Sequence, residues 1–477
     1  MSDIDSLSRR VLALDAKLAT LSGETSAWRE ESKDAQARFA WHRSQIAEVC
    51  GDLEEMHAVI SGELAELRKA QPLTVAAIER LERRILAALQ IWECYRSKFA
   101  VRIEARLRES LILIDDLAWQ AYRPAHDRAV ASGRLPAERA RLPPLVFPNA
   151  RWSPFARSRE QAYELDEATG VLRTIDDFED YLRAIPVPLI GIPWYQVSHL
   201  PDAVFVGHEV GHLVEEDLGL EEDLRQLVLT ALGAVDEERR AAWSGRWRSE
   251  VFADIYGVLA TGPAFVGTLI DVLRGAPDIA TESQPDAAGR WRAYPTRALR
   301  VRLVCEALRQ LAADEPAKAR FSQIADDFQA AWTATYPAHA LPAYEDDVPR
   351  VVHALMHAPL EALARNKGGA GESLSSVLGF TDAMQSSAKA DADRANKAED
   401  PTGKDVRTLF AAVALAFRQD PGRYAAEGAQ NRFRRRLLNL PMERVRAFSG
   451  AAPAAPEADR RKAAARWLFD RMEAGRV

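Results

Sequence analysis

Two histidines one helical turn apart, inside an apolar run, restrict what this chain can fold into more than any other stretch. Residues 204–214 read Val-Phe-Val-Gly-His208-Glu209-Val-Gly-His212-Leu-Val. On a helix, His208 and His212 face the same way, and Glu209 is turned about 100° from His208. Val204, Phe205, Val206, Leu213 and Val214 make this helix strongly apolar, which puts its polar face inside the protein. Buried imidazoles and carboxylates need partners. Two imidazoles at this spacing can hold one zinc ion, and Glu209 can reach a water at that ion and take its proton.

Zinc takes four ligands, and a catalytic site leaves one position for water or substrate, so a third protein donor is required. A local donor in the pattern H-E-x-x-H-x-x-G-x-x-H is excluded, because Glu215 and Leu218 stand at the Gly and His positions. The better donor is Glu250, on a second apolar helix that reads Glu250-Val-Phe-Ala-Asp254-Ile-Tyr256. Asp254 lies one turn further on the same face and can accept the free ring N–H of a metal-binding histidine.

His208-Glu209-Val-Gly-His212 followed by Glu250-Val-Phe-Ala-Asp254 resembles the gluzincin type of zinc metallopeptidase, with its thermolysin-like His-His-Glu arrangement and its E-x-x-x-D pattern. The resemblance covers roughly residues 200–300, and the gap between His212 and Glu250 is longer than in compact members. It implies a hydrolase of peptide bonds with one Zn2+ per chain, held by His208, His212 and Glu250. Glu209 is then the base that later protonates the leaving amine, and Asp254 orients a ligand. In gluzincins a downstream Tyr or His commonly donates to the developing oxyanion; here Tyr294, Arg297 and Arg300 are the candidates, with Tyr256 a weaker one. An edge strand that pairs with an extended substrate is also common in metallopeptidases of this type. Val187–Pro193, an extended segment just before the metal helix, is the candidate for it.

The rest of the chain reads as mainly α. Ile4, Val11 and Leu18 alternate with Leu7, Leu14 and Leu21 in a heptad seam that Ser22-Gly23 is expected to end. A second helix spans residues 26–70, to the break at Pro72. A third starts at Thr74 as N-cap, and its stripe drifts through Phe99 to Ile103, Leu107 and Leu111 as one long helix. Residues 1–134 are therefore a helical bundle or coiled-coil arm. It is either a partner-binding or self-associating surface or a bundle packed on the catalytic part. His42, His57 and His126 read as structural or surface residues.

Prolines exclude long helices over much of 135–200, although short ones at Gln161–Glu167 and Ile175–Ala184 fit the pattern. His199 reads as a polar loop residue. The acidic stretch from Glu215 to Asp223 reads as a solvated face, and His353 and His357 as ordinary helix residues. Residues 135–365 make an α-rich, zincin-like metallopeptidase domain with a small edge-strand element. Residues 366–404, poor in large apolar side chains, read as a flexible linker, and 405–477 as a C-terminal helical segment.

Composition narrows the function classes. A net charge of −7 gives no reason to expect nucleic acid, and the basic run Arg432–Arg436 reads as a solvated helix face. Three scattered cysteines fit a reducing cytosol, and no secretory signal or membrane-spanning run is seen. The Ala and Arg richness is associated with high-GC bacterial genomes. The expectation is a cytoplasmic zinc metallopeptidase acting on a protein or peptide. The rival is a non-catalytic or partner-gated interaction protein, whose zinc staples a core and whose arm binds a partner.

Overall fold

A computed structural model describes residues 3–34, 40–69, 72–135, 141–149, 185, 187–275, 291–292, 294–312, 314–336, 341–441, 461–463 and 465–470. The chain is mainly helical, with one small sheet among the described residues. No helix among the described residues is long and apolar enough to cross a membrane. The helices expected at Gln161–Glu167 and Ile175–Ala184 lie outside the described residues.

Three long helices open the fold: α1 (Asp3–Lys33), α2 (Arg43–Lys69) and α3 (Val75–Ala100). Their stripes meet in one core that includes Leu14, Leu18, Trp28, Val49, Leu53, Ile60, Ile78, Trp92 and Phe99. Thr74 caps α3 as expected, accepting from Ala77 N–H. α1 does not stop at Gly23. Its seam continues through buried Thr25 and Trp28, and Trp28 packs edge-on against Trp92 and Phe99 with ring centroids 4.6 and 5.0 Å apart. One glycine in a helix costs only about 1 kcal/mol, less than burying a tryptophan contributes. Helical residues 461–463 and 465–470, from the far end of the chain, add Ala465, Leu468 and Phe469 to this same core.

The long third helix expected to run on to Leu111 is broken. α3 ends at Ala100, a 3-10 turn spans Val101–Ile103, and α4 (Ala105–Ser132) starts afresh. The reason lies at Arg102. It turns inward and is 1% exposed, and its Nη2 donates to both Asp115 carboxylate oxygens at 2.9 Å and to Val146 C=O at 2.6 Å. Asp115 in turn accepts from Val146 N–H at 2.7 Å, so this buried ion pair also anchors the first strand.

That strand, β1 (Leu145–Asn149), pairs in parallel with β2 (Leu189–Pro193), Leu145 opposite Leu189 and Asn149 opposite Pro193. The extended segment expected before the metal helix is therefore a strand, and all five of its residues are buried. Side chains alternate across a strand. Val146, Ile190 and Ile192 enter the larger core, whereas Leu145, Phe147 and Leu189 enter the core of α1–α3. The two-stranded sheet is thus the layer between the two cores.

α4 contributes Leu111, Ile114, Leu117, Ala121 and Tyr122 to the larger core rather than to the arm. Around it pack α5 (Val206–Asp217), α6 (Glu221–Leu232), α7 (Arg248–Thr261), α8 (Pro263–Leu273), α9 (Arg297–Arg309), α10 (Glu315–Thr333) and α11 (Pro342–His357). The segment expected to be a flexible linker, 366–404, instead holds a short helix at Leu374–Leu378 and then α12 (Asp382–Ala395). α12 lies against α13 (Val406–Gln419) and buries Ala388, Ala392 and Ala395 completely. Large apolar residues are scarce there because a face of alanines lets two helices approach closely. Buried Asp391 then ties down the following turn by accepting from Thr402 N–H and Gly403 N–H. The last helix of this body is α14 (Ala429–Leu438).

Candidate metal centre

The two helices that carry the motifs are held together by missing side chains. A Cβ on Gly211 would lie 2.8 Å from Ala253 Cα and 2.9 Å from Tyr256 Cβ. One on Gly207, a turn earlier, would lie 3.3 Å from Gly257 Cα. The glycine face of α5 therefore rests almost backbone to backbone on α7, with Ala253, Gly257 and Ala260 as the facing small residues. Only this closeness lets side chains of one helix reach those of the other. The long segment between His212 and Glu250 is ordered: α6, a helical turn at Glu237–Ala241, and a single π turn at Ala242–Arg246 that leads into α7. Trp243 and Trp247, both buried, seat that π turn in the core.

His208, His212 and Glu250 come together as expected, and among the described residues they are the one cluster of three donors able to hold a metal ion. His208 Nε2 lies 3.2 Å from His212 Nε2 and 3.3 Å from Glu250 Oε2, and His212 Nε2 lies 3.6 Å from that same oxygen. Four ligands placed tetrahedrally at the usual Zn–N and Zn–O distances of about 2.0–2.2 Å stand about 3.3–3.6 Å apart. The three donors already form one face of such a tetrahedron.

The far nitrogens of both rings are engaged. His208 Nδ1 is 2.9 Å from Asp254 Oδ1. A carboxylate only accepts, so His208 donates from Nδ1 and turns the lone pair of Nε2 to the cluster. Arg300 backs Asp254 with a two-pronged contact, Nε to Oδ2 at 2.8 Å and Nη2 to Oδ1 at 2.7 Å. His212 Nδ1 meets Ser249 Oγ at 3.0 Å, and Ser249 donates to Glu215, which is paired with Arg248 at 3.1 Å. With Nδ1 of His208 donating, its Nε2 lone pair, His212 Nε2 and a Glu250 carboxylate oxygen converge on one point. A cation is the group that satisfies all three, and the donor set of two imidazoles and one carboxylate suits zinc.

Burial opposes protonation of His208, but hydrogen bonds to Asp254 and Glu250 outweigh it and push its pKa up to about 10, so a metal at Nε2 would have to displace a proton there. Burial would raise Glu250, yet the two imidazoles hold its carboxyl well below the usual range. Asp254 is likewise lowered against its burial, chiefly by the Arg300 guanidinium. Glu209 behaves differently. It is only partly exposed, its burial raises the pKa to about 7, and the opposing pull of His208 and His212 does not cancel this. A carboxyl with that pKa beside the cluster suits a group that takes and returns a proton near neutrality.

The oxyanion candidates separate. Tyr294 feels the Glu250 and Glu209 carboxylates, and burial is the main cause of its raised pKa. Its ring carries the Arg300 guanidinium 5.0 Å from its centroid. Arg300 is turned into the protein, with two nitrogens committed to Asp254, so its place is behind a ligand and not at the substrate. Arg297 lies beside Gly275, at the end of α8. Tyr256 donates to Ala121 C=O at 2.8 Å and ties α7 to α4. His199 pairs with Asp202 at 3.0 Å. His353 and His357 lie one turn apart on α11 with tilted rings, centroids 5.0 Å apart, and take no part in the cluster.

The acidic stretch after His212 is not wholly a solvated face. Glu215 is buried against Arg248, and Asp217 is buried against Arg141 at 3.0 Å and Tyr122 at 2.8 Å. Glu216, Glu221 and Glu222 are exposed as expected. Ser249, Glu215 and Arg248 are the residues that motif reading passes over. Their signal was one of position: Glu215 is three residues beyond His212 on the same helix face, and Ser249 directly precedes Glu250. No protein-family model, curated protein or solved structure matches this chain.

Proposed function

We propose that this chain is a zinc-dependent metallopeptidase that hydrolyses peptide bonds of a protein or peptide substrate. The observation that carries the reading is the tetrahedral-face spacing of His208, His212 and Glu250, with Glu209 beside them and not among them. Among the described residues the cluster has three donors, the number of a catalytic site, where a structural zinc takes four. Bound there, zinc would polarise a carbonyl oxygen and acidify a water at the site.

The chain's own residues supply the rest. Glu209, beside the three donors and partly exposed, takes the proton of the attacking water and returns it to the departing amine. Tyr294, whose buried hydroxyl feels the Glu250 and Glu209 carboxylates, is the proposed donor to the oxyanion as the carbonyl turns tetrahedral. Asp254, backed by Arg300, holds the ring of His208. The segment Leu189–Pro193, expected as a docking edge for an extended substrate, is buried along its whole length and is not open to one.

Glu209→Gln tests the reading. It keeps the size of the side chain and leaves the three donors untouched. Zinc content equal to wild type, with cleavage of an unfolded protein substrate reduced by about 100-fold or more, is expected. Undiminished cleavage by the variant removes Glu209 from its role. Zinc binding by wild type without any cleavage would favour a metal that only staples the core.

A further inference from the structure

We infer that Glu215 sets the tautomer of the metal donor His212, acting through the Ser249 hydroxyl, so that Ser249 and Glu215 are positioning residues of the metal site. The inference rests on the zinc reading above. It starts from an asymmetry between the two histidines. His208 faces a carboxylate at its far nitrogen, which can only accept, and its tautomer is thereby decided. His212 faces a serine hydroxyl at 3.0 Å, and a hydroxyl can either donate or accept. Left alone, Ser249 could donate to Nδ1. The ring proton would then sit on Nε2, 3.2 Å from His208 Nε2, where it would block the lone pair the metal needs.

Glu215 removes that choice. Its Oε2 accepts the hydrogen bond of the Ser249 hydroxyl at 2.5 Å, which leaves only the oxygen lone pairs for His212. His212 must then donate from Nδ1 and present Nε2 to the cluster. Arg248 supplies the counter-charge that a buried carboxylate requires, with Nε and Nη2 at 3.2 and 3.1 Å from Glu215 Oε1. Local geometry makes the arrangement compact: Glu215 lies one turn beyond His212 on α5, and Ser249 and Arg248 are the two residues before Glu250 on α7. Two donors of the cluster are therefore held by the same pair of helix ends.

Zinc affinity of the full chain, measured by competition with a chromophoric chelator, tests this in wild type, Ser249→Ala, Ser249→Thr, Glu215→Gln and the Ser249→Ala/Glu215→Gln double variant. Outer partners of metal ligands typically contribute 10–100-fold in affinity. Ser249→Ala and Glu215→Gln should each weaken zinc binding by about that factor, and Ser249→Thr, which keeps the hydroxyl, should bind as wild type does. The double variant should bind no more weakly than Ser249→Ala, because Glu215 acts only through the hydroxyl. Thermal unfolding of each metal-free variant reports whether it is folded. Additive losses in the double variant, or unchanged affinity in folded Ser249→Ala, would overturn the inference while leaving the zinc reading intact. Wild type that binds no zinc would overturn both.

Discussion

Asp254 shows how much depends on one buried carboxylate. It accepts from His208 and from two nitrogens of Arg300, and both Asp254 and Arg300 are nearly unexposed. Removing one partner of a buried pair strands the other charge, at a cost of about 3–5 kcal/mol. Arg300→Met should lower stability by that amount in urea unfolding, and a variant as stable as wild type would contradict the pairing. His57 offers a test by pH, far from the cluster. Neither ring nitrogen has a hydrogen-bond partner among the described residues, and burial lowers its pKa from 6.5 to about 4. The folded chain therefore resists a proton that the unfolded chain accepts. Stability contributed at His57 is present above pH 6.5 and is lost as pH falls towards 4, by about 3 kcal/mol in total. His57→Leu should flatten the stability profile in that window; an unchanged slope would show that acidification acts elsewhere. At this scale the motif residues were legible from spacing alone, since His208, His212, Glu250 and Asp254 each lie one turn from a partner. Ser249 and Glu215 were not, because their roles exist only once two helices cross. Nor could spacing tell Tyr294, near the carboxylates, from Tyr256, whose hydroxyl is spent on Ala121.

Between helices, the close approach of α5 and α7 is what converts two motifs into one cluster. Gly211→Ala puts a methyl 2.8 Å from Ala253 Cα, so the helices must part. Overpacking of this kind costs about 1–3 kcal/mol. Because Glu250 rides on the displaced helix, zinc affinity should fall together with the melting temperature. A variant with both unchanged would show that the contact is looser than described. Most helices were legible from apolar periodicity, and the extended segment before α5 was legible as extended chain. Three element-level readings failed for identifiable reasons. A glycine did not stop α1, because Trp28 rewards its continuation; an inward arginine broke the third helix at Arg102; and an alanine face made a helix out of an apparent linker. In each case a tertiary partner overrode a local signal.

Across the whole molecule, the two cores meet on one sheet whose faces belong to different neighbours. The chain also closes on itself: Leu468 and Phe469 complete the core of α1–α3, and Arg84 sits 4.9 Å from the centre of the Phe469 ring. No pattern in the N-terminal heptads announces this distant contribution. Phe469→Ala should therefore destabilise the arm by roughly 3–5 kcal/mol, read as increased protease sensitivity of α1–α3. An arm that resists proteolysis as before would place residues 461–470 outside its core. The central claim concerns the metal, and elemental analysis of the purified full chain tests it most directly, comparing wild type with His212→Ala and Glu250→Ala. The account predicts about one zinc per wild-type chain and a sharp loss in both variants. Wild type without metal after zinc is added back, or variants that retain it, would contradict the His208–His212–Glu250 site.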